Sequence, residues 1–340
     1  MSVRRSAVVL PLLLLTVGPA RPADPPKGPP VVARPEAFET LVNPECSHCR
    51  DEARRRAGEL KDADRVLAWV RGYSDGGAIP IRFYLSRHRV ISDSYGVFVY
   101  DPDAGFARGF EPSYDFRFHG WRNGVMVMRH KDGTVYSCLT GRAFDGPRKG
   151  EVLKPVPTLT TDWGDWLKRY PGGVAYKMFE KYQPVEPPAT PNADARTSRG
   201  PADDRLPDAA AVLGVAAGKG SRAYPLEALA KAGLVREAVD GQERVVLWYG
   251  PTKTAAAYRP VASPPKKGGG TPRSVTLAAT GTGADAAFTD KETGSRWDIA
   301  GRAVAGDLQG WTLEWLDGTQ VKWFAWAAEY PDTTIYKGNE

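Results

Sequence analysis

Two thiols three positions apart, in Pro44-Glu45-Cys46-Ser47-His48-Cys49, form the one short motif in this chain with a defined chemical use. Such a pair can close a small disulfide, exchange it, or chelate a soft metal. Residues 50–60 are strong helix formers, which sets Cys46 near a helix N-terminus, where the dipole lowers a thiol pKa. Three readings stay open: a structural disulfide pinning an N-terminal extension in an oxidising compartment, a metal pair, and redox exchange. The third cysteine is Cys138, and the histidines are His48, His88, His119 and His130. Cys46, Cys49 and His119, joined by His88 or Cys138, would make a donor set suited to zinc or copper. The usual zinc rhythm of two close ligand pairs is missing, so spacing establishes no cofactor. Taken alone, Cys138 reads as a small buried hydrophobe and each histidine as an ordinary core or surface residue.

Other catalytic templates are absent. There is no G-x-S-x-G elbow, H-E-x-x-H, G-x-x-x-x-G-K-[ST] or dinucleotide glycine fingerprint, and Gly281-Thr282-Gly283 is a bare G-T-G in a polar stretch. Asp101 and Asp103 fall in an expected turn. Asp162 and Asp165 fall on the expected solvent side of a helix. A balance of 46 basic against 40 acidic residues, with no basic stripe interleaved with aromatics, argues against nucleic acid.

The elements that must position these residues follow from pattern. Arg4 and Arg5, the apolar residues 7–17 and the small exit Gly18-Pro19-Ala20 read as a secretory signal over residues 1–20, so the protein is expected to be exported, periplasmic or extracellular. The apolar run of about eleven residues falls short of the roughly twenty that span a bilayer, and no later stretch spans one, so the mature chain is expected to have no membrane span. Residues 21–36 and 183–208 are rich in Pro and small polar residues and read as tethers. Residues 37–63 make a helical extension bearing the Cys-x-x-Cys.

The rest of the chain reads as two diverged copies of one unit, 64–182 and 209–340. Trp163-Gly164-Asp165-Trp166 through Tyr170-Pro171 matches Trp323-Phe324-Ala325-Trp326 through Tyr330-Pro331. The same offset lays Gly141-Arg142-Ala143 on Gly301-Arg302-Ala303. Trp163, Trp166, Leu167 and Tyr170 recur at i, i+3, i+4 and i+7, one face of a helix that must stop before Pro171. Runs at 66–70, 97–100, 125–129, 135–137 and 245–249, punctuated by Gly, Asp and Pro, predict strands, with Lys131-Asp132-Gly133 as a hairpin turn. The expected class is α+β and β-dominated, with two similar, mainly antiparallel units. Each is closed by a Trp-bearing helix, with a Pro-rich linker between them. Paired tryptophans at helical spacing in both copies read as core rather than as a stacking surface.

Several spaced motifs resemble a bacterial family, domain of unknown function 3179. They are Val212-Leu213-Gly214-Val215 with Arg222-Ala223-Tyr224-Pro225-Leu226, the hairpin from Asp290-Lys291-Glu292-Thr293-Gly294 to Trp297, and Thr140-Gly141 with the segment closing at Pro171. Members similar to this chain carry Tyr-Cys-Pro-x-Cys-Gly where it has Tyr100-Asp101-Pro102-Asp103-Ala104-Gly105 and Tyr249-Gly250-Pro251-Thr252-Lys253-Thr254, so both cysteines are lacking in both copies. His119-Gly120 stands where the family usually has Ser-Gly and the second copy has Thr280-Gly281; Cys138 aligns with Asp298 or a gap. The resemblance implies architecture and no activity. The Cys46 segment also looks like a thioredoxin-type motif, although no clear strand precedes it. The expectation is an exported binding or scaffold protein for an unknown ligand or protein; the alternative is a thiol-redox or metal-dependent enzyme with its site in the first unit.

Overall fold

The computed structural model describes residues 29–42, 60–71, 75–84, 88–93, 96–111, 115–172, 174–175, 185–186, 188–217, 220–266, 269–280 and 287–338. The Cys46-Ser47-His48-Cys49 motif, the helix expected over 50–60, the secretory signal and Gly281-Thr282-Gly283 lie outside the described residues. What is described is a strand-dominated α+β fold, with three sheets in each half of the chain.

The β-branched run after Asp64 forms the strand Arg65–Arg71. It lies antiparallel between Thr158–Asp162 and Asp75–Pro80, and Val174–Ala175 adds in parallel at the far edge. Ala211–Ala217 sits in the same way between Gly318–Lys322 and Gly220–Pro225, with Thr334–Ile335 parallel at the edge. A second sheet orders Pro155–Val156, Phe106–Phe110, Gly96–Asp101 and His88–Asp93. Its counterpart in the second half runs Thr312–Trp315, Thr254–Ser263, Gln242–Tyr249 and Leu234–Val239. The third is a run of hairpins, Phe116–Arg122, Val125–His130, Val135–Ser137 and Ala143–Asp145, set against Leu277–Ala279, Phe288–Asp290, Arg296–Trp297 and Ala303–Ala305.

Local chemistry accounts for the joints. Gly133 takes φ +94° in the turn expected at Lys131-Asp132-Gly133, where a side chain would be strained, and the His130 N–H closes the hairpin on the Thr134 carbonyl. The helices Trp163–Arg169 and Trp323–Glu329 end as expected, the Tyr170 and Tyr330 N–H groups donating to the Trp166 and Trp326 carbonyls just before proline. All four helix tryptophans are buried.

Three stretches differ from the sequence reading. Val32 and Ala33, in a segment expected as a tether, pair with Trp121 and Gly120. The strand Glu39–Val42 precedes the Cys-x-x-Cys motif and pairs in parallel with His88–Asp93, so a strand does stand before Cys46. The Pro-rich stretch 183–208 carries the helix Ala193–Thr197, capped by the Asn192 side chain, with Ala195 buried in the core. In each case a few apolar residues find a partner remote in sequence, which local composition does not register.

The halves interlock. One hydrophobic cluster joins Phe110, Met126, Cys138 and Leu139 of the first half to Trp323, Phe324, Ala325 and Ala327 of the second. The turns at 101–105 and 250–254 each clasp the other half. Ala104 and Asp103 offer their carbonyls to the Lys322 backbone N–H and Nζ at 2.8 Å. Arg65 Nη1 donates to the Thr252 carbonyl at 2.6 Å, and Thr254 Oγ1 to the Thr160 carbonyl at 2.9 Å.

Candidate functional site

The residues expected to carry chemistry are dispersed where they are described. His88 begins its strand fully buried, with Nδ1 3.2 Å from the Glu39 carbonyl oxygen. His119 is half-buried at a bulge between Phe118 and Gly120, and burial, followed by the nearby Arg129 charge, holds its pKa below the ordinary histidine value. It lines a mixed-charge cavity of about 830 Å³ with Glu36, Arg117, Arg129 and Lys131. Cys138 lies in the shared apolar cluster, fully buried. Burial pushes its thiol pKa well up, and the Asp101 and Glu329 charges add to that, so it stays a protonated thiol and a poor nucleophile or ligand. Among the described residues no three His, Cys, Asp or Glu side chains come together as a metal-ligand group. His130, 3.0 Å from Asp132 and 3.6 Å from Asp115, belongs to the ion pairs around its hairpin.

A different place gathers aromatic and ionisable side chains from both halves. Trp69, from Arg65–Arg71, and Trp166 and Tyr170, from the first Trp helix and its end, face Tyr258 and Trp315 of the second half across a cleft of about 610 Å³. Arg302 and Lys266 join Thr158, Gln309 and Thr312 in its polar lining, and among the described residues no acidic side chain lines it.

The loop that presents Arg302 is tightly held. Gly301 takes φ +72°, and a Cβ there would come within 2.5 Å of the Tyr258 ring, so only glycine fits. Its N–H donates to the Asp298 carbonyl at 3.0 Å, while the Tyr258 hydroxyl donates to the Ile299 carbonyl at 2.8 Å. Behind Arg302 lies Asp298, which is fully buried. Its Oδ1 accepts from the Arg302 N–H at 3.0 Å. Its Oδ2 stands 3.7 Å from Arg169 Nη1 and 3.9 Å from Arg302 Nε, with no hydrogen bond among the described residues. Burial raises the Asp298 pKa above the usual carboxylate value despite these two cations. Arg169 is itself held by Asp165, with Nε and Nη2 donating to its two oxygens at 2.9 and 3.0 Å. Asp165 therefore does not face solvent: its side chain is 9% exposed and pairs with Arg169.

Arg302 Nη2 donates to the Arg169 carbonyl at 2.9 Å, and the guanidinium lies 4.6 Å from the Tyr170 ring centroid. Burial raises the Tyr170 and Tyr258 phenol pKa values, so both remain neutral near pH 7. The site thus offers flat apolar walls, a fixed guanidinium and a buried charge network, the arrangement that ligand pockets share.

Asp298, Arg169 and Tyr258 were not singled out from the sequence. The one available signal was positional: Arg169 immediately precedes the repeated Tyr-Pro, and Asp298 was already aligned with Cys138. Tyr136 pairs with Ala143 as Trp297 pairs with Ala303, leaving the intervening loop one residue longer in the first half.

A family model described as a protein of unknown function, DUF3179, matches residues 40–333. No curated protein and no solved structure matches the chain.

Proposed function

The chain belongs to the DUF3179 family, and from that premise we propose that it is an exported binding protein that takes a ring-bearing small ligand in the cleft between its halves. The aromatic cleft carries this reading. Its volume of about 610 Å³ lies within the range of roughly 300–1,000 Å³ common to small-molecule sites, and its walls come from strands, one helix and the loops that carry Arg302 and Lys266. Tyr and Trp offer broad contact at low cost in side-chain entropy. Export rests on Arg4, Arg5 and the apolar residues 7–17; among the described residues no helix is long and apolar enough to cross a membrane. The recurrence of strand order supports two diverged units, 64–182 and 209–340, brought together so that the site lies between them.

The test is ligand-observed NMR screening of flat apolar fragments against the mature chain, repeated with Trp315→Ala. Fragments that lose their saturation transfer in the variant support the reading. Fragments that bind both proteins equally would place binding elsewhere and overturn it.

A further inference from the structure

We propose that the cleft selects for a ring-bearing carboxylate, with the ring against the aromatic walls and the carboxylate at Arg302 and Lys266. This rests on the cleft being a ligand site and adds the charge of what fills it. Three observations carry it. Among the described residues the cleft is lined by two cationic side chains and no acidic one. Arg302 is fixed before any ligand arrives: its backbone N–H, Nε and Nη2 face Asp298 and the Arg169 carbonyl, and its plane rests on Tyr170. Arg302 lines the cleft, and its Nη1 makes no hydrogen bond among the described residues, which leaves donors for a ligand there. A planar guanidinium with two parallel donors matches a carboxylate better than it matches a single neutral acceptor.

The charges behind the cleft limit the size of the effect. Arg169 and Arg302 are balanced by Asp165 and Asp298, so the net charge offered to a ligand is that of exposed Lys266. Selection should therefore come mainly from charge-assisted hydrogen bonding at Arg302, with Lys266 adding a smaller, salt-sensitive attraction. Hydrogen bonds to a charged group are stronger than neutral ones by an amount that corresponds to about tenfold in affinity.

The experiment is isothermal titration of the mature chain with a matched pair of probes, naphthalene-2-carboxylate and naphthalene-2-carboxamide. Expected is about tenfold tighter binding of the carboxylate, a gap that closes in Arg302→Gln and narrows in Lys266→Gln, and loss of both probes in Trp315→Ala. Lys266 is exposed, so its variant keeps the result readable if Arg302→Gln unsettles the Asp298 loop. Equal affinity for both probes, still abolished by Trp315→Ala, would overturn charge selection and leave the cleft reading standing. Binding of neither probe, or binding indifferent to Trp315→Ala, would overturn both.

Discussion

The first Trp helix ends Arg169-Tyr170-Pro171 and the second Glu329-Tyr330-Pro331, and the difference in that one charge runs through the whole molecule. Along the first helix, Gly164, Asp165, Leu167 and Arg169 stand where the second has Phe324, Ala325, Ala327 and Glu329. The second helix accordingly joins the apolar cluster around Phe110, Met126 and Leu139 of the first half. The first instead sends Arg169 across to Asp298, and the aromatic cleft lies beside that charged crossing. One scaffold position thus packs into an apolar cluster on one side and borders a polar, ligand-sized opening on the other. A buried charge pair is a poor way to gain stability compared with apolar packing. Beside Tyr330 the halves also share a charge pair, Arg108 Nη2 to Asp317 Oδ1 at 2.6 Å with Asp317 part-exposed, whereas Arg169 and Asp298 stand 3.7 Å apart with Asp298 fully buried, which fits a site better than a strut.

The largest expected effect breaks that asymmetry directly. Arg169→Met removes the charge between Asp165 and Asp298 and leaves Asp298 buried with only Arg302 at 3.9 Å. Losing one partner of a buried pair costs about 3–5 kcal/mol. Glu329→Gln, at the matching position, should change stability by less than about 0.5 kcal/mol, because Glu329 is only partly buried and accepts a single 3.3 Å bond from Asn123. Urea denaturation of the two variants measures the contrast. Adding Asp298→Asn to Arg169→Met should recover part of the loss; a strictly additive double variant would show that the two residues are not coupled.

How far the fold and the site could be read in advance separates along the same line. Strands such as Gly96–Asp101 and Val125–His130, and the Gly133 turn, follow from alternation and turn chemistry acting over a few residues. The Trp helices follow from i, i+3, i+4, i+7 spacing. Arg169 does not, because a helical wheel knows one packing partner and this helix has two: its own sheet for Trp163 and Trp166, and the other half for Arg169. Asp165 was placed toward solvent for the same reason. Glu39–Val42 pairs with a strand far along the chain, and its four residues carry too little pattern to announce it. The metal set drawn from residue types mixed His88, which bonds to the Glu39 carbonyl, and His119, which lines one cavity with Glu39 and Thr40, with Cys138, which packs in the shared apolar cluster beside Met126.

A second contrast concerns pH. At the end of Gly96–Asp101, opposite Phe106, the first half holds Asp101; at the last rung of its counterpart, opposite Thr254, the second holds Tyr249, one place along from the sequence match of Tyr100 with Tyr249. Asp101 is fully buried, and burial raises its pKa to about 6, against the opposing effect of three backbone N–H donors from Asp103, Ala104 and Met126. Below about pH 3 the group is neutral in folded and unfolded chains alike. As pH rises toward 6 the unfolded chain ionises first, so the equilibrium shifts toward unfolding. Above 6 the folded chain bears the whole cost, about 3 kcal/mol relative to acid conditions. Asp101→Asn should flatten this fall in unfolding free energy between pH 4 and 6, although it lowers stability overall by giving up an acceptor. An unchanged slope would show that other groups, Asp298 among them, set the pH response.

The smallest expected effect separates the two helices by a single hydrogen bond. Trp166 and Trp326 are equally buried and sit at matching positions, so replacing either by phenylalanine forfeits similar apolar contact. Their indole N–H groups differ. Trp326 Nε1 donates to Thr333 Oγ1 at 2.9 Å, whereas Trp166 Nε1 is buried with no hydrogen-bond partner among the described residues. Trp326→Phe therefore strands the hydroxyl of buried Thr333, while Trp166→Phe removes a donor already desolvated without return. The first should cost about 1–2 kcal/mol more than the second in thermal or chemical denaturation, and Thr333→Val should reproduce about half of the difference. Equal costs would mean that Trp166 has an acceptor after all. Because Trp166 lines the cleft, a ligand or an ordered water there would be the first place to look for it.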